Sequence, residues 1–481
     1  MAGIQASGRE PGAPSARLAD AARETWPASY PQAALATLLG PELNSFLQDL
    51  THDVPVPHVH LVHSPPAESA LVDIVAEARA AAHRSLAGTR MHAGPVAVAV
   101  GSRGIANLLP IVRAVGDVLR EFGAQPFVVP AMGSHGGGTA AGQVAILAAY
   151  GITEAALNVP IRATMETCVI GSLDGIPVHV DRNVIDVGQA FLVSRVKPHT
   201  DFTGPIESGP TKMAAIGLGK LAGARDIHAR GALGLRDLMP RVGRYIVIHH
   251  VVGALAIIEN DRKQAVQICG LRPDEIGGAR EVALLDTARS LLPGLPFTDL
   301  DVLIVERLGK DLSGAGMDPN VTGRWGVTGL EEPPHSVRCI VALDLTPASE
   351  GNAIGLGLAD IIPAKLLGKV DLLSVYTNAL TAGWSGLRRA HIPIVVPTDR
   401  DAIMTAIALF GTAPQRPLRL IWLTDTSNTS TIAVSEALAR EVPSEMDLEI
   451  EQAAQIIPFT ADGHLLPLSD LHAGRRFNHM G

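Results

Sequence analysis

Five side chains able to exchange protons, attack a carbon, bind a metal or clamp an anion stand beside glycine-rich or strand-flanking segments: Arg103, His135, His199, Lys212 and His228. Arg103 sits in Gly101-Ser102-Arg103-Gly104. His135 sits in the turn Gly133-Ser134-His135-Gly136-Gly137-Gly138, and His199 in Lys197-Pro198-His199-Thr200-Asp201. A histidine exchanges protons near neutral pH, because its unperturbed pKa lies at about 6.5. Two of them on one cleft can serve as general acid and general base. Lys212 lies in a glycine-rich, nearly uncharged stretch from 202 to 220. A lysine in apolar surroundings loses its proton readily and suits nucleophilic attack or covalent tethering. His228 follows sixteen residues later, in Asp226-Ile227-His228-Ala229. Taken singly, each of these residues also suits an ordinary loop position.

Their convergence requires a scaffold that ends several strands at one edge. Short apolar runs at 96–100, 125–129, 191–196, 245–251 and 255–258 read as strands, and 108–122 has the apolar spacing of a helix. Thr139 is placed to cap a further helix running to Tyr150. A second series of strands is expected at 302–305, 340–345, 394–396 and 418–423. Strands alternating with helices predict an α/β fold: two lobes with mainly parallel sheets and a cofactor and active-site cleft between them. Active sites in such sheets lie at the carboxyl ends of the strands, which is where Arg103, His135 and His199 stand. The stretch 290–299, with two prolines and a glycine, marks the expected boundary. The expected organisation is a flexible tail over 1–28, an N-terminal α/β domain over 29–292 joined by the segment 455–481, and a C-terminal α/β domain over 293–454.

Composition narrows the function classes. The chain has 481 residues, 47% hydrophobic and 18% charged, with a net charge of −9. No basic run offers a face for nucleic acid. No apolar run is long enough to span a bilayer. The cysteines Cys168, Cys269 and Cys339 are widely spaced, which fits a reducing compartment. The amino terminus has arginines but no continuous apolar core, so a soluble, cytoplasmic protein is expected.

The ordered series Arg103, His135 in a Gly-x-His turn, Pro198-His199, Lys212 and His228 resembles the nickel-dependent lactate racemase family, clearly over about 90–235 and loosely elsewhere. The resemblance implies a nickel-pincer nucleotide: nickel held by a pyridinium-3,5-bisthiocarboxylic acid mononucleotide. It implies Lys212 as the tether, His228 as the nickel ligand, and His135 and His199 as the acid/base pair. Imidazole with soft donors is a reasonable Ni(II) environment. The implied reaction is racemisation or epimerisation of a small 2-hydroxy acid by reversible hydride transfer through a 2-keto acid. Arg103, with Ser102 beside it, would clamp the substrate carboxylate or the cofactor phosphate. The family also uses a lysine and a tryptophan from the second lobe, for which Lys310 and Trp384 are the matching choices. Cofactor-synthesis enzymes are the implied partners.

The chain departs from the family where Val100-Gly101-Ser102-Arg103-Gly104 lacks the acid and proline of an acid-x-Thr-Arg-Pro sequence, and where Glu207-Ser208-Gly209-Pro210-Thr211 replaces paired glycines. These changes border the expected substrate pocket. They predict a hydroxy acid larger than lactate, with extra hydroxyls bound by Glu207, Ser208 and Asp201. Two other classes stay open: a lysine enzyme with another cofactor, such as pyridoxal phosphate on Lys212, and a non-catalytic cofactor-binding paralogue. Gly217-Leu218-Gly219 has the wrong spacing for a dinucleotide loop, and Leu221 after Lys220 rules out a P-loop. His58, His60 and His63 read as a strand face, and His249-His250 as opposite faces of another.

Overall fold

The computed structural model describes residues 39–64, 69–101, 105–292, 294–327, 336–411, 416–442 and 448–472. Two sheets dominate. The first has the order β3-β2-β6-β7-β8, built from β2 (Gly94–Val100), β3 (Ala124–Pro130), β6 (Ala190–Arg195), β7 (Val251–Glu259) and β8 (Ala265–Leu271). β3, β2, β6 and β7 are parallel and β8 closes the edge antiparallel. The hairpin β4 (Thr167–Leu173) and β5 (Ile176–Asp181) stands apart.

The second sheet runs β12-β11-β10-β9-β13-β14-β1-β15. Its centre is β9 (Asp299–Leu308), β10 (Ser336–Leu345), β11 (Ile361–Pro363), β12 (Ile394–Val396) and β13 (Leu420–Leu423), all parallel. The antiparallel flank holds β1 (His58–His63), β14 (Thr431–Ser435), β15 (Glu449–Ile450) and β16 (Gln455–Ile456). The mainly parallel α/β fold is therefore observed. Strand pairing nevertheless crosses the boundary expected near 293, because β1 and β16 both join the second sheet.

The covering helices follow from their apolar stripes. They are α1 (Ile74–Leu86), α2 (Leu108–Glu121), α3 (Ala140–Ala149), α4 (Lys220–His228), α5 (Met239–His250), α6 (Ala279–Ser290), α7 (Leu372–Thr381) and α8 (Asp399–Gly411). On α2, Leu108, Ile111, Val112, Val115, Val118 and Leu119 are buried, one face of a 3.6-residue repeat. The central strands are covered on both faces, so they read as continuous apolar runs such as Val96-Ala97-Val98-Ala99-Val100. Thr139 caps α3 as expected, its side chain accepting from the Gly142 N–H.

The strand expected at 245–251 is instead the end of α5, and β7 starts at Val251. Met239, Val242, Gly243, Ile246 and Val247 are buried at helical spacing, and that stripe outweighs the β-branched content of the segment. His249 and His250 thus end a helix and do not alternate along a strand. His60 and His63 are held in β1 by Glu451, through its carbonyl and carboxylate respectively. Among the described residues, no helix is long and apolar enough to cross a membrane, and no group of three or more His, Cys, Asp or Glu is arranged to hold a metal ion.

The contact between α1 and β8 admits no side chain at Gly270, where an added Cβ would lie 1.9 Å from the Ala81 carbonyl oxygen. A Gly270→Ala substitution must push the helix off the sheet. The expected loss is about 3 kcal/mol, read from the urea midpoint at unchanged m-value.

Candidate functional site

Because β2, β3 and β6 run the same way, their carboxyl ends open on one edge of the first sheet. The loop after β2 starts at Gly101, where an added Cβ would meet Met213 Cε at 3.2 Å, one residue beyond Lys212. Ser102 and Arg103 lie outside the described residues.

After β3, the chain turns through Gly136, Gly137 and Gly138, all left-handed with φ between 65° and 67°. L side chains rarely adopt that conformation, so the glycines are what make this turn accessible. Gly136 also presses on Gly142 at the start of α3, with no room for a side chain at either. His135 sits exposed at the head of this turn.

The loop after β6 is tied internally. The buried Glu207 carboxylate accepts from the His199 N–H at 2.7 Å, the Gly204 N–H at 2.8 Å and Arg289 at 2.6 Å. Ser208 accepts from the Lys197 N–H at 2.7 Å and donates to the Lys197 carbonyl at 2.6 Å. His199 Nδ1 accepts from the Asp201 N–H at 3.0 Å, so the neutral ring carries its proton on Nε2. Its ring packs on Phe202 with centroids 4.6 Å apart. Glu207, Ser208 and Asp201 were expected to bind extra substrate hydroxyls. The structure commits Glu207 and Ser208 to holding this loop, which takes both out of that reading, while Asp201 Oδ1 is taken by Arg389 and the Thr200 hydroxyl.

Lys212 ends the short helix Gly209–Lys212, half-buried. The turn before it is anchored by buried Glu281 of α6, which accepts from the Thr211 N–H at 3.1 Å and hydroxyl at 2.6 Å, and from the Gly277 N–H at 2.7 Å. Burial raises the Glu281 pKa against these bonds. Beyond Lys212 the helix widens into a π turn, Met213–Gly217, closed by the Leu218 N–H donating to the Met213 carbonyl. Single π turns are frequent at functional sites. Gly217 rests on the β3 loop, where an added Cβ would lie 2.7 Å from the Ala131 carbonyl oxygen. α4 then carries the chain to His228, whose Nδ1 lies 2.5 Å from the Ala224 carbonyl oxygen. A carbonyl only accepts, so Nδ1 holds the proton and Nε2 keeps a lone pair for a metal.

These groups share one electrostatic neighbourhood. The crowding around His228 lowers its pKa despite its partly exposed surface, and the Lys212 charge adds to this, while the Ala224 bond and Asp201 act the other way. Burial disfavours charge on Asp201, but His199, Arg389 and Lys212 together hold its carboxyl well below the usual range. His199, Lys212 and His228 thus all lie within electrostatic range of Asp201. His135 stands on the loop that packs against the π turn.

The second lobe reaches in through Arg389. Its guanidinium, 6% exposed, donates to Asp201 Oδ1 at 2.6 Å, to the Thr200 carbonyl at 2.5 Å and to the Trp325 carbonyl at 3.0 Å. Asn320 donates to the His199 carbonyl at 3.2 Å. Sequence reasoning missed both, because nothing local distinguishes them from ordinary polar residues. Lys310 Nζ donates to Asn378 of α7 at 3.1 Å. Trp384, 78% exposed, opens a short helix that packs on α7 and on Gly231–Leu233, just beyond His228. A separate small cavity between the lobes is lined by Arg195, Lys197, Glu259, Asp318 and Asn320, and not by Lys212, His228 or His135.

No family model matches the chain, and no curated protein matches it. Among solved structures, a protein of Thermotoga maritima aligns over 69% of this chain and 82% of its own, at 11% identity and a TM-score of 0.42. The lactate racemase apoprotein from Thermoanaerobacterium thermosaccharolyticum aligns over 77% of this chain and 89% of its own, at 11% identity and a TM-score of 0.39.

An Arg389→Ala variant leaves Asp201 without its cation and two carbonyls without their guanidinium donor, and should lose about 3 kcal/mol in denaturant unfolding. Asp201 adds a pH dependence. Its folded pKa lies below the ordinary 3.8, so its stabilisation is complete above that value and lost as the pH falls through the folded pKa. The stability gap between wild type and Asp201→Asn should therefore be full at pH 6 and shrink below pH 3.8.

Proposed function

We propose that this chain is a racemase or epimerase of a 2-hydroxy acid that works with a nickel-pincer nucleotide. The observation that supports this reading most is a half-buried lysine within electrostatic range of an imidazole whose Nδ1 bond leaves Nε2 free to ligate. The donor chemistry fits the group. The protein offers one oriented nitrogen ligand and one amine for a thioamide link, and the remaining soft donors belong to the nucleotide.

Lys212 would hold the nucleotide and His228 Nε2 would ligate its nickel. Ser102 and Arg103 would hold its phosphate or the substrate carboxylate, and Trp384 would flank the ring. When bound, the group supplies a reversible hydride acceptor. Lys310, oriented by Asn378, would attract the substrate carboxylate. His135 and His199 would exchange the hydroxyl proton on the two faces of the substrate carbon. With Nδ1 already accepting from Asp201, neutral His199 acts at Nε2 as a proton donor, toward the oxygen of the planar 2-keto acid. Removal of one such acid or base typically costs about 10²–10⁴ in rate. The two lobes, tied by Arg389, would exclude water while the keto acid is present.

The test is co-production with a pincer-synthesis pathway. Intact mass should show one adduct on Lys212, and polarimetry should show interconversion of one pair of chiral 2-hydroxy acids. Lys212→Ala should lose adduct and activity together. His228→Ala should keep the adduct but lose nickel. His135→Asn and His199→Asn should keep both, with kcat lower by about 10²–10⁴. Full activity in Lys212→Ala, or loaded protein with no adduct, would overturn the reading.

A further inference from the structure

Lys220 has no part in the chemistry above, yet it is completely buried. Its ammonium meets three acceptors: the Pro130 carbonyl at 2.5 Å, Gln143 Oε1 at 3.3 Å and Asp181 Oδ2 at 2.9 Å. The first two are hydrogen bonds and the third is an ion pair between two fully buried side chains. The acceptors come from three separate segments, the ends of β3 and β5 and the helix α3. Lys220 also holds a left-handed backbone with φ of 52°. That conformation is strained for a non-glycine residue.

Burying a cation and bending the chain are both unfavourable, and an apolar side chain often fills such a place as stably or better. What an apolar side chain cannot do is join these segments. Lys220 lies eight residues after Lys212 and eight before His228. Gln143, also fully buried, passes the link on: its amide donates to the Gly133 carbonyl at 2.9 Å and the His135 carbonyl at 3.4 Å.

We infer that Lys220 is a positioning residue that fixes the His135 loop against the Lys212–His228 segment. It sets where one acid/base group stands relative to the cofactor lysine, and in that respect rests on the function proposed above. The anchoring of the loop stands on the geometry alone.

The experiment separates anchoring from stability. Lys220→Met alone leaves Asp181 buried without its cation. Lys220→Met with Asp181→Asn removes the charge pair as a unit while keeping the cap that Asp181 gives Asn183. The double variant should recover the melting temperature lost by the single one. Hydrogen exchange over residues 131–143 should still rise at least tenfold, with exchange in β9 unchanged. In loaded protein the Lys212 adduct should persist while kcat falls at least tenfold and KM changes little. Gln143→Leu, which spares the charge pair, should loosen the same loop and serves if the Lys220 variants fail to fold. Unchanged exchange over 131–143 in both the double variant and Gln143→Leu would overturn the inference. So would full recovery of kcat in the double variant. If wild type never forms an adduct, the function reading fails and the exchange result still decides the anchoring.

Discussion

The parallel run of β3, β2, β6 and β7 is the constraint from which the rest of the site follows. Hydrogen bonding in one direction delivers three successive carboxyl ends to a single edge, and the loops leaving them have to settle beside one another. The segment from Gly209 to His228 lies across that edge. Its π turn leans on the β3 loop at Gly217 and meets the β2 loop at Met213. Strands ending at opposite edges would have scattered the same side chains across the molecule.

Buried carboxylates then stiffen what the sheet has gathered. Glu207 holds the His199 loop from inside and Glu281 holds the turn before Lys212, each through three donors. A carboxylate removed from water is stable only when its lone pairs are filled, so these loops have little freedom to move without losing several bonds at once. The reactive side chains stay at the surface of this frame. His135 is exposed and Lys212 is half-buried.

The two lobes meet through the same loop. Arg389 and Asn320 bind the backbone of residues 199–200, so the second lobe sits on His199 directly. A guanidinium suits this role because its planar fork bonds a carboxylate and carbonyls together. Lys310, in the loop after β9, bonds Asn378 of α7, and Trp384 opens the short helix packed on α7.

Much of this was legible from local pattern. The strands at 96–100 and 125–129, the cap at Thr139 and the glycine turn around His135 each follow from side-chain chemistry within a few residues. Where β-branched content and helical spacing disagreed, at 245–251, packing of Ile246 and Val247 into the core decided for helix. The partners of Asp201, Glu207 and Lys220 lie 188, 82 and 90 residues away, at Arg389, Arg289 and Pro130. No local rule reaches across such intervals, so the sequence alone left Glu207 and Asp201 free to bind substrate. Only the folded chain, which brings Arg289 to Glu207 and Arg389 to Asp201, commits these carboxylates to holding the loop and the second lobe. It likewise moves β1 and β16 into the far sheet, because strand pairing depends on which edges the tertiary structure leaves open.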